Sequence, residues 1–358
     1  MIPDIMLSSL EGIPLLELAK TVHRFGLPYM LRLQKTYRTG WDEMIRGYLE
    51  TSIMHALLNV GLIGEMQKKL SVDIGEFAAQ ENLDAAVLEP LCEAFYCLGM
   101  FEKNGAGYSL SEKGRDIVEV MRGWLEVCYG YDEVFHSLGP LLRQEKVYGR
   151  DLYRRSDFVA RGSGEMENLL FFPMANDLII ANGYKRVLDL GCGDGTFLRA
   201  LCALNSEVEC YGIDLAPAAI EEGDCVLRES GLENRVKLMA LDISKIDQAG
   251  LPPIDAATVF FVLHELLYFG EDVVVNFLKD FRRLFPGAPL LAFEALRPST
   301  EELRRHPGIS VYYFLYHDLT QQKPVDADTW KRLFRRAGFR SIEERQLDFA
   351  KAVIYILK

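Results

Sequence analysis

Apolar positions recur along the chain with two spacings, and the change between them falls near residue 183. Before it the spacing is mostly helical. Ile13 to Phe25 carries apolar residues on one helix face, and Tyr29 to Tyr37 mixes aromatic, Leu and basic residues. Ser52 to Ile63 reads as an apolar helix with Gly64 near its end, Ser71 to Gln80 as a short capped helix, and Asp84 to Leu98 as another. Gly99 to Leu110 reads as two short strands about a Gly-rich turn. Ile117 to about Leu142 is helical again. A polar stretch follows, Val147 to Glu167, bearing Arg150, Arg154, Arg155 and Arg161.

From Gly183 short apolar runs alternate with helical ones. Val187–Leu190, Val208–Ile213, Val236–Leu241, Asp255–Phe261 and Pro289–Ala295 read as five strands, and Phe197–Leu204 as the helix after the first. Thr329 to Ala337 is a helix with Gly338 as its cap, and Ser341–Leu347 and Lys351–Leu357 form a closing strand pair. The alternation predicts an α/β domain on a doubly wound sheet over 146–358, preceded by a mostly helical domain over 1–145.

The first strand runs into Asp189-Leu190-Gly191-Cys192-Gly193-Asp194-Gly195. Glycines there let the backbone turn tightly and approach a ligand where a Cβ would clash. A dinucleotide fingerprint would be G-x-G-x-x-G with a pyrophosphate at the helix N-terminus. Here the glycines run G-x-G-x-G, with a carboxylate two residues ahead. That acid suits S-adenosylmethionine (SAM), which carries an ammonium and a sulfonium and no phosphate. Asp189-x-Gly191-x-Gly193-x-Gly195 resembles motif I of class I SAM-dependent methyltransferases. Asp214 ends the second strand nineteen residues after Gly195, where an acid can hold ribose hydroxyls, with Leu215 beside it. The resemblance implies that Asp242 and Ile243, after the third strand, face the adenine. It also implies a Rossmann-like sheet whose last strand is antiparallel.

The three helices and β-wing of the first domain resemble a winged helix, and their order resembles the N-terminal dimerisation domain of small-molecule O-methyltransferases. A homodimer is therefore expected; the alternative is that the first helices pack on their own domain. A winged helix can bind DNA, but Asp84 to Leu98, its recognition helix, has no Lys or Arg and carries Asp84, Glu89 and Glu93. The formal net charge is −12. Neither favours phosphate contact, so no nucleic-acid partner is expected and a SAM-binding regulator is disfavoured. Seven scattered cysteines with no CxxC pair argue for a reducing compartment, hence a cytoplasmic protein without a disulfide framework or zinc site. No signal-peptide pattern opens the chain. No apolar run reaches the roughly 18 residues that a bilayer span needs, so no membrane partner is expected.

The chemistry is expected beyond the fourth strand, where the sequence reads Phe260-Phe261-Val262-Leu263-His264-Glu265-Leu266. Small-molecule O-methyltransferases have a Leu-His-Asp-Trp-like motif there, with the His a general base in some. This chain keeps His264 but has Glu265 for the Asp and Leu266 for the Trp. A second His stands in Tyr316-His317-Asp318, after the aromatic run Tyr312-Tyr313-Phe314. Together these resemble the 2-oxo-acid C-methyltransferases related to phenylpyruvate β-carbon methyltransferase. That resemblance implies His264 and His317 as ligands of a divalent metal, iron, and a 2-oxo acid as the small-molecule acceptor. The metal would grip its carboxylate and 2-oxo oxygen, and C3 would take the methyl. Glu265 and Asp318 would bind metal, remove the C3 proton or orient a His, and the residues leave that choice open. They equally allow metal-independent O-methylation with His264 as base. The arginines of 150–161 suit a substrate carboxylate, since guanidinium pairs with it bidentately; the alternative is a solvated loop.

Overall fold

The computed structural model describes residues 15–37, 40–105 and 107–358. They form two compact units, one up to Met121 and one from Arg122. The division falls earlier than residue 145 because it lies inside one continuous helix, where no change of composition marks it.

Among the described residues, the helices of the first unit ahead of the one that spans the division are α1 (Leu15–Phe25), α2 (Leu27–Tyr37), α3 (Trp41–Asn59), α4 (Leu62–Lys68), α5 (Ile74–Gln80) and α6 (Ala85–Cys97). Three short strands, β1 (Val72–Asp73), β2 (Phe101–Asn104) and β3 (Gly107–Leu110), pair antiparallel in the order β1-β3-β2. The start of the helix expected from Ile13 lies outside the described residues. The apolar run Ser52–Ile63 is two helices, because Gly61 takes a left-handed φ of 82° between α3 and α4. Asp73 and Asp84 cap α5 and α6, accepting from Glu76 N at 2.9 Å and Ala86 N at 2.8 Å. Leu57, Ile74, Phe95 and Tyr108 are fully buried in this unit.

Helix α7 (Glu112–Gly130) runs through the division, and α8 (Asp132–His136), α9 (Leu138–Leu142) and α10 (Ser156–Ala181) follow. Half of the polar stretch 147–167 is thus helix. Its Gly162 is a close-packing residue: a Cβ there would run into the Gly123 carbonyl oxygen of α7, and one on Gly123 would lie 2.6 Å from the Gly162 oxygen. Glycine here brings two backbones together, a use that sequence alone does not separate from a loop.

The rest alternates regularly: β4 (Arg186–Leu190), α11 (Thr196–Leu204), β5 (Glu209–Asp214), α12 (Pro217–Glu229), β6 (Val236–Ala240), a 3-10 turn (Ile243–Gln248), β7 (Ala256–Phe260), α13 (Leu263–Tyr268) and α14 (Glu271–Leu284). Then come β8 (Leu290–Ala295), α15 (Thr300–Arg305), α16 (Ile309–Leu319), α17 (Ala327–Arg336), β9 (Ile342–Leu347) and β10 (Ala352–Leu357). The seven strands stand in the order β6-β5-β4-β7-β8-β10-β9. All neighbours are parallel up to β8, and β10 is antiparallel to both β8 and β9. Strand β4 alternates between two cores: Val187 packs with Phe197 and Phe293 on one face, and Leu188 and Leu190 with Leu278 and Trp330 on the other. Helices cover both faces, so the strand reads as a continuous apolar run. The chain winds outward one way from β4 and the other way from β7, so the switch point lies between them, where such sheets bind ligands.

Candidate active site

At the switch point Gly191, Gly193 and Gly195 all take left-handed φ values of 86°, 54° and 76°. Gly191 is required twice over, since a Cβ there would lie 2.5 Å from Val262 Cγ2. Gly195 stands at the N-cap of α11. The Asp214 carboxylate braces the turn: Oδ2 accepts from Gly193 N and Oδ1 from Ala216 N, each at 2.8 Å. Leu215 beside it is exposed. Asp242 caps the 3-10 turn through Ser244 N at 2.9 Å, and Ile243 is buried behind it. Asp189 faces Thr258 across the switch and accepts its hydroxyl at 2.7 Å. Burial raises its pKa to about 7; the Thr258 bond opposes the shift, and the Asp214 charge adds to it.

Beside the turn opens a cavity of about 370 Å³, walled by α10, α13, α16 and the residues between β9 and β10. Strand β7 delivers His264 into it by a strained step. Phe261 has a left-handed φ of 55°, a conformation that costs a bulky residue of order 1 kcal/mol. The turn it makes aims Leu263 N and His264 N at Glu294 Oε1, at 2.8 and 3.3 Å. Glu294 Oε2 takes His264 Nδ1–H at 2.8 Å, with both side chains fully buried. On α16 His317 donates Nδ1–H to its own helix, to the Tyr313 carbonyl at 2.6 Å. The two imidazole centroids are 4.9 Å apart, edge to face.

The hydrogen bonds fix where the protons are. Thr320 spends its hydroxyl proton on the Tyr316 carbonyl at 2.6 Å. Its oxygen therefore accepts from Gln322 Nε2 at 3.1 Å, which turns Gln322 Oε1 toward His264 Nε2 at 3.2 Å. An amide oxygen only accepts, so His264 Nε2 carries a proton and the ring is an imidazolium facing the Glu294 carboxylate. Burial pulls the His264 pKa down, but the charge and hydrogen bond of Glu294 outweigh it, and Glu265 and Gln322 add to the rise. His317 goes the other way: burial, then the His264 charge, hold it well below the ordinary value against the Tyr313 bond. It is neutral, with the lone pair on Nε2. Gln322 Nε2 also donates to the Tyr131 hydroxyl at 3.1 Å, Tyr131 takes Arg154 Nη1–H at 3.3 Å, and Arg154 Nη2 reaches Glu265 Oε1 at 2.6 Å.

A family model described as a methyltransferase domain matches residues 188–287, the span holding the Gly turn and His264. Over 314 residues the chain is 27% identical to 2-ketoarginine methyltransferase of Streptomyces arginensis, across 85% of this chain and 89% of that one. This is a class I SAM-dependent methyltransferase of the small-molecule type. Its fold is shared with an O-methyltransferase family protein from Burkholderia thailandensis, at a TM-score of 0.64 and 18% identity over 89% of this chain and 97% of that one. Human N-acetylserotonin methyltransferase in complex with SAM matches at 0.63 and 18%, over 90% and 97%.

In this methyltransferase His264, Glu265 and His317 line one cavity. Asp318, also expected at the chemistry, does not line it. One residue on along α16 is about 100° round the helix, and there Asp318 is half-exposed in an ion pair with Arg297. Among the described residues no group of three His, Cys, Asp or Glu could hold a metal. No described helix is long and apolar enough to cross a membrane. Sequence reasoning missed Glu294, Gln322 and Glu167. Glu294 had a signal: it is the one acid in the strand Leu-Leu-Ala-Phe-Glu-Ala, whose residues are all buried, and a buried charge needs a partner. Gln322 and Glu167 had none.

Proposed function

We propose that this methyltransferase C-methylates a 2-oxo acid at C3. The observation that carries the reading is the imidazole pair in one cavity wall, each ring with Nδ1 tied to an oxygen acceptor. Metal-binding histidines characteristically donate their second N–H to a carboxylate or carbonyl. His264 and His317 therefore fit a divalent cation such as iron, held through Nε2, once His264 gives up its Nε2 proton and its bond to Gln322. Bound there, the metal would supply the positive charge that stabilises an enolate. The chain's own residues do the rest. Arg154 takes the acceptor carboxylate in its forked N–H groups, held in orientation by Glu265 and Tyr131. Phe261, Tyr313 and Phe314 wall the cavity and exclude water. C3 gives up its proton to the Glu265 carboxylate and attacks the SAM methyl, and the sulfonium leaves as a neutral thioether. The acceptor class is supported by the relative named for 2-ketoarginine, itself a 2-oxo acid. O-methylation without a metal is the second reading, favoured by the His264–Glu294 contact, which would orient His264 as a general base once its Nε2 proton has left.

The test is exchange of the C3 hydrogen of a 2-oxo acid with deuterated water in the absence of SAM. Wild type should exchange, a chelator should stop it, and His264→Ala and His317→Ala should each lose it while still binding SAM. Folded variants that exchange at the wild-type rate, or activity indifferent to chelation and metal supply, would return the site to the O-methylation reading.

For the cofactor, we propose that Asp189, Gly191, Gly193, Asp214, Leu215, Asp242 and Ile243 hold SAM, with Asp214 on the ribose. Asp214→Ala should weaken SAM binding at least tenfold by calorimetry, through lost ribose bonds and an unbraced Gly193. Unchanged affinity would remove Asp214 from the site.

A further inference from the structure

Helix α10 turns six residues to the cavity: Val159, Ser163, Met166, Glu167, Leu170 and Phe171. Glu167 alone of these is ionisable. The other charged side chains of the wall are paired: Arg154 with Glu265 at 2.6 Å, His264 with Glu294 at 2.8 Å and Lys351 with Glu302 at 2.6 Å, while His317 is bonded to the Tyr313 carbonyl. Glu167 makes no hydrogen bond or ion pair among the described residues. Burial, then the charges of Asp189 and Glu294, push its pKa well above the usual carboxylate range. Glu167 is partly buried; a carboxylate held there without a cation is unfavourable, and a cationic ligand group relieves that cost.

We infer that Glu167 selects the acceptor by charge, receiving a guanidinium-type cation at the far end of its side chain. This rests on the 2-oxo-acid reading above and adds the substrate class to it. The cavity then has two poles, Arg154 for the acceptor carboxylate and Glu167 for its cation. A planar guanidinium pairs with a carboxylate through two parallel N–H bonds, which gives direction as well as charge. The other cation within reach of this region is SAM itself. The wall of the cavity includes Glu167 but none of Gly191 to Gly195, Asp214 or Asp242, although the charge of Asp189, ahead of the turn, does act on Glu167.

The test compares matched pairs: 5-guanidino-2-oxopentanoate with 2-oxohexanoate, and 5-guanidinopentanoate with hexanoate, which lack the 2-oxo group. Affinities are measured by calorimetry at saturating S-adenosylhomocysteine, and KM and kcat wherever methylation occurs. Wild type should prefer the guanidino member of each pair at least tenfold. Glu167→Gln should bring that preference to within about threefold, mainly through KM for the guanidino acid, and Glu167→Asp should keep part of it. No preference in wild type overturns the inference, and that comparison needs no folded variant. It is also overturned if Glu167→Gln keeps the preference, or loses SAM affinity by the same factor, which would assign the carboxylate to the cofactor. If no 2-oxo acid is methylated or exchanged while 5-guanidinopentanoate is still preferred, the 2-oxo-acid reading falls and charge selection by Glu167 stands.

Discussion

Asp189 is buried with a hydroxyl, not a cation, as its partner, and that has a pH signature. Its native pKa, about 7, is above the 3.8 of an unperturbed Asp. Between those values the folded chain keeps a proton that the unfolded chain has released, so stability falls as pH rises through the window. That difference corresponds to at most about 4 kcal/mol. Asp189→Asn keeps an acceptor for Thr258 and cannot ionise. Its melting temperature, followed from pH 4 to 7.5 without ligand, should decline less than that of wild type; equal slopes would mean that another group carries the effect. The residues that act through local spacing were legible in the sequence: the glycines of 191–195, Asp214 at a strand end, His264 after a strand. Those that act through long-range contacts were not. Glu294 and Gln322 meet His264 from 30 and 58 positions away, and the three come together only because β7 and β8 are neighbours and the chain returns after α16.

Strands were the most legible elements, because helices on both faces turn each parallel strand into an apolar run bounded by turns. Their order was legible only by resemblance, since nothing local says that β10 inserts between β8 and β9. The first half of α10 was legible only as a polar stretch, for a substrate carboxylate or a solvated loop, and its helix was not. The two glycines there have opposite meanings, and substitution separates them. Gly162→Ala places a methyl against the Gly123 carbonyl of α7. It should destabilise by about 1–3 kcal/mol and shift the helix that carries the cavity wall. Gly164 has open space around its missing Cβ. Gly164→Ala should stabilise by about 0.5–1 kcal/mol through helix propensity and unfolded-state entropy. Chemical denaturation of the two variants checks both signs. Equal effects would mean that α7 and α10 do not cross as closely as described.

Across the whole molecule, the first unit carries a run of exposed apolar side chains on α1 to α3. Leu16, Phe25, Leu31, Met44, Ile45 and Tyr48 are all about half-exposed or more, Met44 at 78%. We propose that a second copy of the chain covers them, which is the homodimer expected from the order of elements. Sedimentation at micromolar concentration should give a dimer, and Met44→Glu with Tyr48→Glu should shift it toward monomer; a wild-type monomer contradicts the proposal. In the second unit, Gly191 and Val262 touch where the Gly turn proposed to hold SAM meets the start of α13, which carries His264. With that assignment, the partition between donor and acceptor sides is there one methyl group thick. A change at Val262 made to reshape the acceptor side presses directly on the Gly191 turn, and a shift of that turn reaches the backbone two residues ahead of His264. Cofactor affinity and acceptor choice are therefore not separate dials in this enzyme, and variants selected for a new acceptor should be screened for SAM affinity in the same round.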